Sequence, residues 1–152
     1  MSLSKFNIIK GRKSDIEDIV QFQIDMAMES EGIELDREIV TNGVTAAMDD
    51  ESKGQYWIAQ AEGKVIGSLM ITREWSDWNN EWYWWIQSVY VHPAYRNQGV
   101  YKAMYATIKD KAHKSNVSQI RLYADKTNYS AQQVYHRLGM KESHYLIFEV
   151  SV

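Results

Sequence analysis

An α/β fold built on one mixed β-sheet, with helices on both faces, is the architecture this sequence predicts. Three observations carry it. Stretches with strand character and stretches with helical spacing follow one another in the order β-α-α-β-β-β-α-β-α-β. Three strands in series need antiparallel pairing, whereas the later alternation needs a parallel crossover. With 152 residues, 45% of them hydrophobic, the chain matches one domain with one core, so residues 1–152 are read as a single domain.

Residues 6–10 are short and apolar enough for a first strand. Ser14-Asp15-Ile16-Glu17 has the form of a capping box, and Ile16, Ile19, Val20, Ile24 and Ala27 give the helix behind it an apolar face. Gly32 closes that helix. A second helix is predicted over residues 36–48, with Ile39, Val40, Val44 and Ala47 inward and Gly43 weakening its middle. Strands over 55–60 and 64–72 flank Glu62-Gly63, a pair suited to a hairpin turn. Residues 73–81 read as a polar connection carrying Trp75 and Trp78.

Trp84, Trp85, Ile86, Val89, Tyr90 and Val91 then make a buried strand, ended by Pro93, the single proline. After Gly99, Val100, Met104, Ile108 and Ala112 form one stripe of a long helix, with Lys102, Lys109, Lys111 and Lys114 facing outward. A strand is predicted over 118–124. A short helix over 128–138 buries Ala131, Val134, Tyr135 and Leu138, with Asn128 as N-cap and Gly139 just past its end. Residues 143–150 are read as a last strand. Met1, Ser2 and Leu3 read as leader or expression residues.

The formal charge of −3 conceals an asymmetry. Residues 14–51 hold twelve acidic residues and one basic, a charge of −11, and the remainder carries +8. Either this is a solvated acidic face, or the two parts meet different ligands, a cation and an anion. A nucleic-acid binder would want a broad basic surface, so that class is set aside. The chain has no cysteine, which excludes disulfides and thiolate ligands and fits a cytoplasmic home. His92, His113, His136 and His144 lack metal-ligand spacing, so no metal is expected. No apolar run has the length of a membrane span, so no membrane partner is expected.

The chemistry concentrates where the strand meets the long helix. A helix that starts at a strand's end presents unpaired N–H groups and the positive end of its dipole, a favourable place for an anion. Arg96 adds a fixed positive charge that can fork onto phosphate oxygens.

Two segments there carry a resemblance. Val91-His92-Pro93-Ala94-Tyr95-Arg96-Asn97-Gln98-Gly99-Val100-Tyr101 is similar to the acetyl-CoA loop Arg/Gln-x-x-Gly-x-Gly/Ala. Asn128, Ala131, Tyr135 and Gly139-Met140 look like the signature Asn-x-x-Ala-x-x-x-Tyr-x-x-x-Gly-Phe, with Met for Phe. With the element order, the chain resembles the GNAT superfamily of Gcn5-related N-acetyltransferases over nearly its whole length. Tyr101 departs from the usual glycine or alanine. Its ring is expected to turn away and pack, since backbone N–H groups hold the anion whatever the side chain.

The resemblance implies splayed central strands, acetyl-CoA as co-substrate and an amine acceptor, small or lysine-like. The diphosphate would rest on Arg96, Asn97, Gln98, Gly99, Val100, Tyr101 and Lys102. The free backbone of Val89, Tyr90 and Val91 would pair with the pantetheine arm, and Asn128 would touch it. Tyr135 would protonate the departing thiolate, although a core aromatic would occupy the same inner stripe. In some members of the family a glutamate on the strand that opens near Glu81 serves as base. Glu81 is therefore the first candidate here, with Asp25, Glu29 or a water chain as rivals.

Five of the six tryptophans (Trp75, Trp78, Trp82, Trp84, Trp85) lie within eleven residues. Alternation sets Trp82 and Trp84 on one face and Tyr83 with Trp85 on the other. They are either core or homodimer contact, or an aromatic wall for a cationic acceptor. Two readings from other classes stand beside the enzyme. One is a module that binds acyl-CoA without turnover. The other is an α/β domain that takes a different phosphate ligand at the same helix end.

Overall fold

The computed structural model describes residues 5–152; the leader reading of Met1, Ser2 and Leu3 lies outside the described residues. The chain divides into two compact units, Met1–Leu122 and Tyr123–Val152.

The first unit holds strands β1 (Asn7–Lys10), β2 (Gln55–Ala61), β3 (Lys64–Ser76), β4 (Glu81–Val91) and β5 (Val117–Arg121), and helices α1 (Ile16–Glu31), α2 (Arg37–Asp49) and α3 (Val100–His113). The strands form one sheet in the order β1-β2-β3-β4-β5. β1 to β4 pair antiparallel, and β5 joins β4 in parallel after the α3 crossover. The sheet is mixed, as the element order requires.

Register sorts the two faces. Ile58 opposes Ser68 and Ala59 opposes Gly67, so each pair shares a face and consecutive pairs point oppositely. Tyr56 and Ile58 pack with Ile19, Val20, Val44 and Ala47 of α1 and α2. On the other face a Cβ at Gly67 would lie 3.5 Å from Val100 and 3.6 Å from Met104 of α3. Helices therefore cover both faces, and Ile58, Leu69, Ile71, Met104 and Ile108 are buried between the layers.

Several boundaries follow local chemistry. Gly32 ends α1 at φ 65°, with its N–H on Met28 and that of Ile33 on Ala27. Asp36 caps α2 by accepting from Glu38 and Ile39 N–H. Glu62 and Gly63, at φ 52° and 77°, make the hairpin turn. The opening of α1 corrects one expectation: Ser14 does not cap it, and Asp15, the N-cap residue, turns its side chain back to Arg12 rather than to the helix. Buried Asp15 accepts from the Arg12 backbone N–H at 2.8 Å and its Nε at 3.1 Å, across a 3-10 turn over Lys13–Asp15. β3 also runs past residue 72. Trp75 opposes Trp82, so half of the predicted polar connection is strand.

In the second unit, α4 (Tyr129–Arg137) is capped by the Asn128 side chain, which accepts from Ala131 N–H, and Gly139 follows at φ 90°. Residues 141–152 form no strand, so the predicted last strand over 143–150 is not formed. Ser143 Oγ accepts the Tyr145 N–H at 3.0 Å, a local bond that competes with a sheet ladder.

Candidate active site

β4 is irregular where the site needs it. Gln87 opposes Met70 and Tyr90 opposes Ser68, so Ser88 and Val89 together face Leu69 alone. This is a β-bulge, with Ser88 at φ 54°. The extra residue shifts the alternation, so Gln87 and Tyr90 share the α1 side although three positions apart. β5 accompanies β4 only from Trp82 to Trp85. Within the first unit, β4 has no strand partner on that edge from residue 86 to 91, the divergence of neighbouring strands that the resemblance implies.

The chain then turns through a 3-10 segment, Pro93–Tyr95, capped by His92, whose Nδ1 accepts from Ala94 N–H at 3.1 Å. His92 is thus a structural cap. Asn97 and Gly99 both adopt left-handed conformations, φ 62° and 83°, and Gly99 is the N-cap of α3. No side chain caps that helix start, so its first N–H groups point outward with the dipole behind them. A Cβ on Gly99 would meet nothing within 4 Å, so the glycine serves the backbone angle and open approach. Val100 buries its side chain and offers only backbone. The Tyr101 ring lies 6.3 Å from that of Tyr105, one turn along α3, which agrees with the packed position expected. Lys102, Gln98 and Gly99 border an open groove of about 350 Å³ with Lys5 and Phe6.

Arg96 is held from three sides. Its Nε donates to the Val91 carbonyl at 2.9 Å, its Nη2 to Glu29 at 2.8 Å, and its guanidinium sits 5.2 Å over the Tyr90 ring. Tyr90 in turn donates its hydroxyl to Glu29 at 3.0 Å. The Arg96 bond, then the Tyr90 bond, hold the Glu29 carboxyl below the usual range. Burial, aided by the bond to Glu29, pushes the Tyr90 phenol up to about 12. Sequence reasoning named each of these residues but missed their partnership, because 67 residues separate Glu29 from Arg96.

Beyond Tyr90 on the same face, Trp85 Nε1 donates to Glu74 at 2.8 Å and Gln87 to Thr72 Oγ1 at 2.8 Å. The Arg121 guanidinium covers the Tyr83 ring at 4.4 Å. On the opposite face Trp75 meets Trp82 edge-on at 4.9 Å, and Arg73 lies 4.8 Å over Trp82. Trp84 is buried and Trp78 is exposed in the turn. Arginines of the chain itself thus occupy two of these aromatic faces.

The residues from Val89 to Lys102 form one continuous strand, loop and helix start. Glu81 lies at the other end of β4, opposite Ser76, about 33 Å along the strand from Val91. In the second unit, Asn128 and Tyr135 fall on one face of α4, about 10 Å apart along its axis. The Asn128 cap uses the carbonyl oxygen and leaves the amide nitrogen as a donor. Burial raises the Tyr135 phenol above its usual value, so it stays protonated. Among the described residues no group of three His, Cys, Asp or Glu could hold a metal ion, and no helix is long and apolar enough to cross a membrane.

An uncapped helix start with an arginine beside it suits a diphosphate, and a strand edge without a neighbour suits an extended amide-bearing arm. These donors fit coenzyme A. The family model described as acetyltransferase (GNAT) family matches residues 16–140. A possible acetyltransferase from Clostridium difficile 630 has a crystal structure similar at TM-score 0.91, with 39% identity over 98% of this chain and 99% of its own. A predicted acetyltransferase with acetyl-CoA from Clostridium acetobutylicum shares the fold at TM-score 0.75 and 21% identity, over 95% and 96% of the two chains. So does an aminoglycoside acetyltransferase from an uncultured soil metagenomic sample in complex with sisomicin, at TM-score 0.78 and 14% identity, over 97% of each. No curated protein sequence matches the chain. The bulged strand, the uncapped α3 and the match over residues 16–140 agree: this chain belongs to the GNAT family of acetyltransferases.

Proposed function

We propose that the chain moves the acetyl group of acetyl-CoA onto a primary amine, by direct transfer in a ternary complex. One observation carries the reading: the unpartnered edge of β4 beyond the Ser88 bulge runs without interruption into the uncapped start of α3. A diphosphate and an amide-bearing arm both find donors along that one segment. The family match across residues 16–140, on both sides of Leu122, supports treating the chain as one catalytic domain. A cytoplasmic home belongs to the same reading, on the lack of cysteine.

When bound, acetyl-CoA supplies an acyl carbon activated as a thioester. The N–H groups of Gly99, Val100, Tyr101 and Lys102 would hold the diphosphate, with Arg96, Asn97 and Gln98 beside it. Backbone groups of Val89 and Tyr90 pair with the arm; Val91's carbonyl already accepts from Arg96. Asn128 would donate its amide N–H to the arm. Tyr135, kept protonated by burial, would give its proton to the sulfur as the C–S bond breaks and the N–C bond forms, and the proton then lost by the acylated nitrogen would restore the phenol.

The amine must shed a proton before it attacks, since a lysine-type amine titrates near ~10.4. Glu81 is the strand carboxylate that the resemblance suggests. Its position, seven residues before the bulge, favours a nearer group, and Glu29 is the carboxylate that α1 brings against Tyr90. We assign the proton to Glu29, directly or through water, ahead of Glu81. The acceptor is a small or lysine-like amine, a cation that suits the acidic α1.

A two-stage assay tests this. CoA binding, read as a rise in melting temperature, comes first, followed by thiol release from acetyl-CoA over a panel of amines. Stabilisation with thiol release for at least one amine is the expected result. Stabilisation without release for any amine would turn the reading to a non-catalytic acyl-CoA module. No stabilisation would turn it to another phosphate ligand.

A further inference from the structure

Arg96 is the one arginine of the cofactor loop, yet it is already engaged. Its Nη2 is 2.8 Å from Glu29 and its Nε 2.9 Å from the Val91 carbonyl. Both Glu29 oxygens are used as well, Oε2 by Arg96 and Oε1 by the Tyr90 hydroxyl. The two side chains remain 41% and 45% exposed, so a ligand can reach the pair.

Glu29 is thus an anion held against the very cation that a diphosphate would seek. Nε and Nη2 make these bonds, so a second anion would meet the same guanidinium with Glu29 still on it. A carboxylate and a phosphate repel across one guanidinium, and the phosphate, with more charge and more acceptor oxygens, is the stronger partner for its fork. We propose that Glu29 competes with the cofactor's diphosphate for Arg96, so that the free protein holds Arg96 on α1 and cofactor binding transfers it to the loop. The inference rests on the coenzyme A reading given above.

The exchange has a consequence for the chemistry. While paired, Glu29 is held below the usual carboxylate range and is a weak proton acceptor. Losing Arg96 leaves it beside Tyr90 with Asp25 nearby, which restores its basicity and its attraction for an ammonium group. Cofactor binding would therefore prepare the carboxylate that the cationic acceptor meets.

Calorimetric titration of CoA into the full chain tests the competition, using wild type, Glu29→Gln, Arg96→Gln and the double variant. Glu29→Gln should bind CoA roughly two- to fivefold more tightly than wild type, the scale of an exposed ion pair. In the Arg96→Gln background the same change should have no effect. Unchanged or weaker binding by Glu29→Gln would overturn the proposal, since Glu29 would then be a support for Arg96. So would a gain that persists without Arg96, which would be plain charge repulsion. Melting curves without CoA check that each variant is folded. A wild type that fails to bind CoA would refute the coenzyme A reading itself, a result distinct from either of these.

Discussion

Tyr90 donates its hydroxyl hydrogen to Glu29 at 3.0 Å, joining β4 to the end of α1. It can do so because one extra residue, Ser88, interrupts the strand's alternation. In a regular strand Tyr90 would fall on the opposite face from Gln87, toward α3. The bulge thus turns a core-facing position into one that reaches the helix.

Ser88 sits at φ 54°, which glycine adopts freely and a β-branched residue does not. Ser88→Gly is expected to keep or raise stability by up to about 1 kcal/mol at this angle. Ser88→Val should lower it by about 1–3 kcal/mol, the cost of holding a strained backbone. Urea unfolding of both variants checks this, and equal stability would mean that the bulge relaxes to another register.

Gly99 separates two effects. Its φ of 83° penalises any side chain, whereas the space around its missing Cβ is open. Gly99→Asn should fold at close to wild-type stability, since asparagine tolerates this angle. It should still weaken CoA binding about tenfold or more, because the side chain would stand where the proposed diphosphate site lies. Intact stability with unaltered CoA affinity would remove the loop from the binding site.

Gly67 faces a different constraint. A Cβ there would lie 3.0 Å from the Tyr90 carbonyl oxygen, a backbone atom in the neighbouring strand. Gly67→Ala is expected to destabilise by about 1–3 kcal/mol, the usual cost of overpacking. Chemical denaturation measures it. A neutral result would show that β3 and β4 can separate at the bulge without penalty.

The contrast between Gly99 and Gly67 shows what the sequence can carry. The turn at Pro93, the Gly99 start of α3 and the Asn128 cap were legible because each depends on a few adjacent residues. The bulge was not, since register belongs to a pair of strands, and Ser88 has no unusual neighbours in the chain. β3 is longer than its sequence suggests because Arg73 and Glu74 look like loop residues until β4 lies opposite them. The missing strand over 143–150 fails for the converse reason: Leu146, Ile147 and Phe148 suit a strand, but a strand also needs its ladder. Of the candidate site, the backbone donors could be read in advance. The Arg96 and Glu29 pair could not, as ion pairing across 67 residues leaves no periodic trace.

The pH dependence of that pair has a definite sign. Arg96 first, then Tyr90, hold the Glu29 carboxyl below its ordinary value. A depressed carboxyl contributes stability above its unfolded pKa, near ~4.3, and loses it as pH falls through the lower folded value. Wild type should therefore melt slightly above Glu29→Gln at pH 6–7, and the gap should close below about pH 4. Added salt should narrow it too, because both side chains are exposed. A gap that widened in acid would mean that Asp25 or another carboxyl nearby governs the titration.

Tyr135 is the residue proposed to protonate the thiolate, and that role can be isolated from packing. Phenylalanine fills the same half-buried space on α4 and lacks only the hydroxyl. Tyr135→Phe should lower kcat by about 10²- to 10⁴-fold, the range for a lost general acid, while CoA binding changes little. Burial raises the Tyr135 phenol above its usual ~10, so its proton is lost only in strong alkali. In wild type, Tyr135 should therefore impose no fall in kcat between pH 7 and about 10. Any decline that deprotonation of Tyr135 causes at higher pH should be absent from the variant. Equal kcat in the two proteins would leave Tyr135 as a core aromatic, and protonation of the thiolate would pass to water.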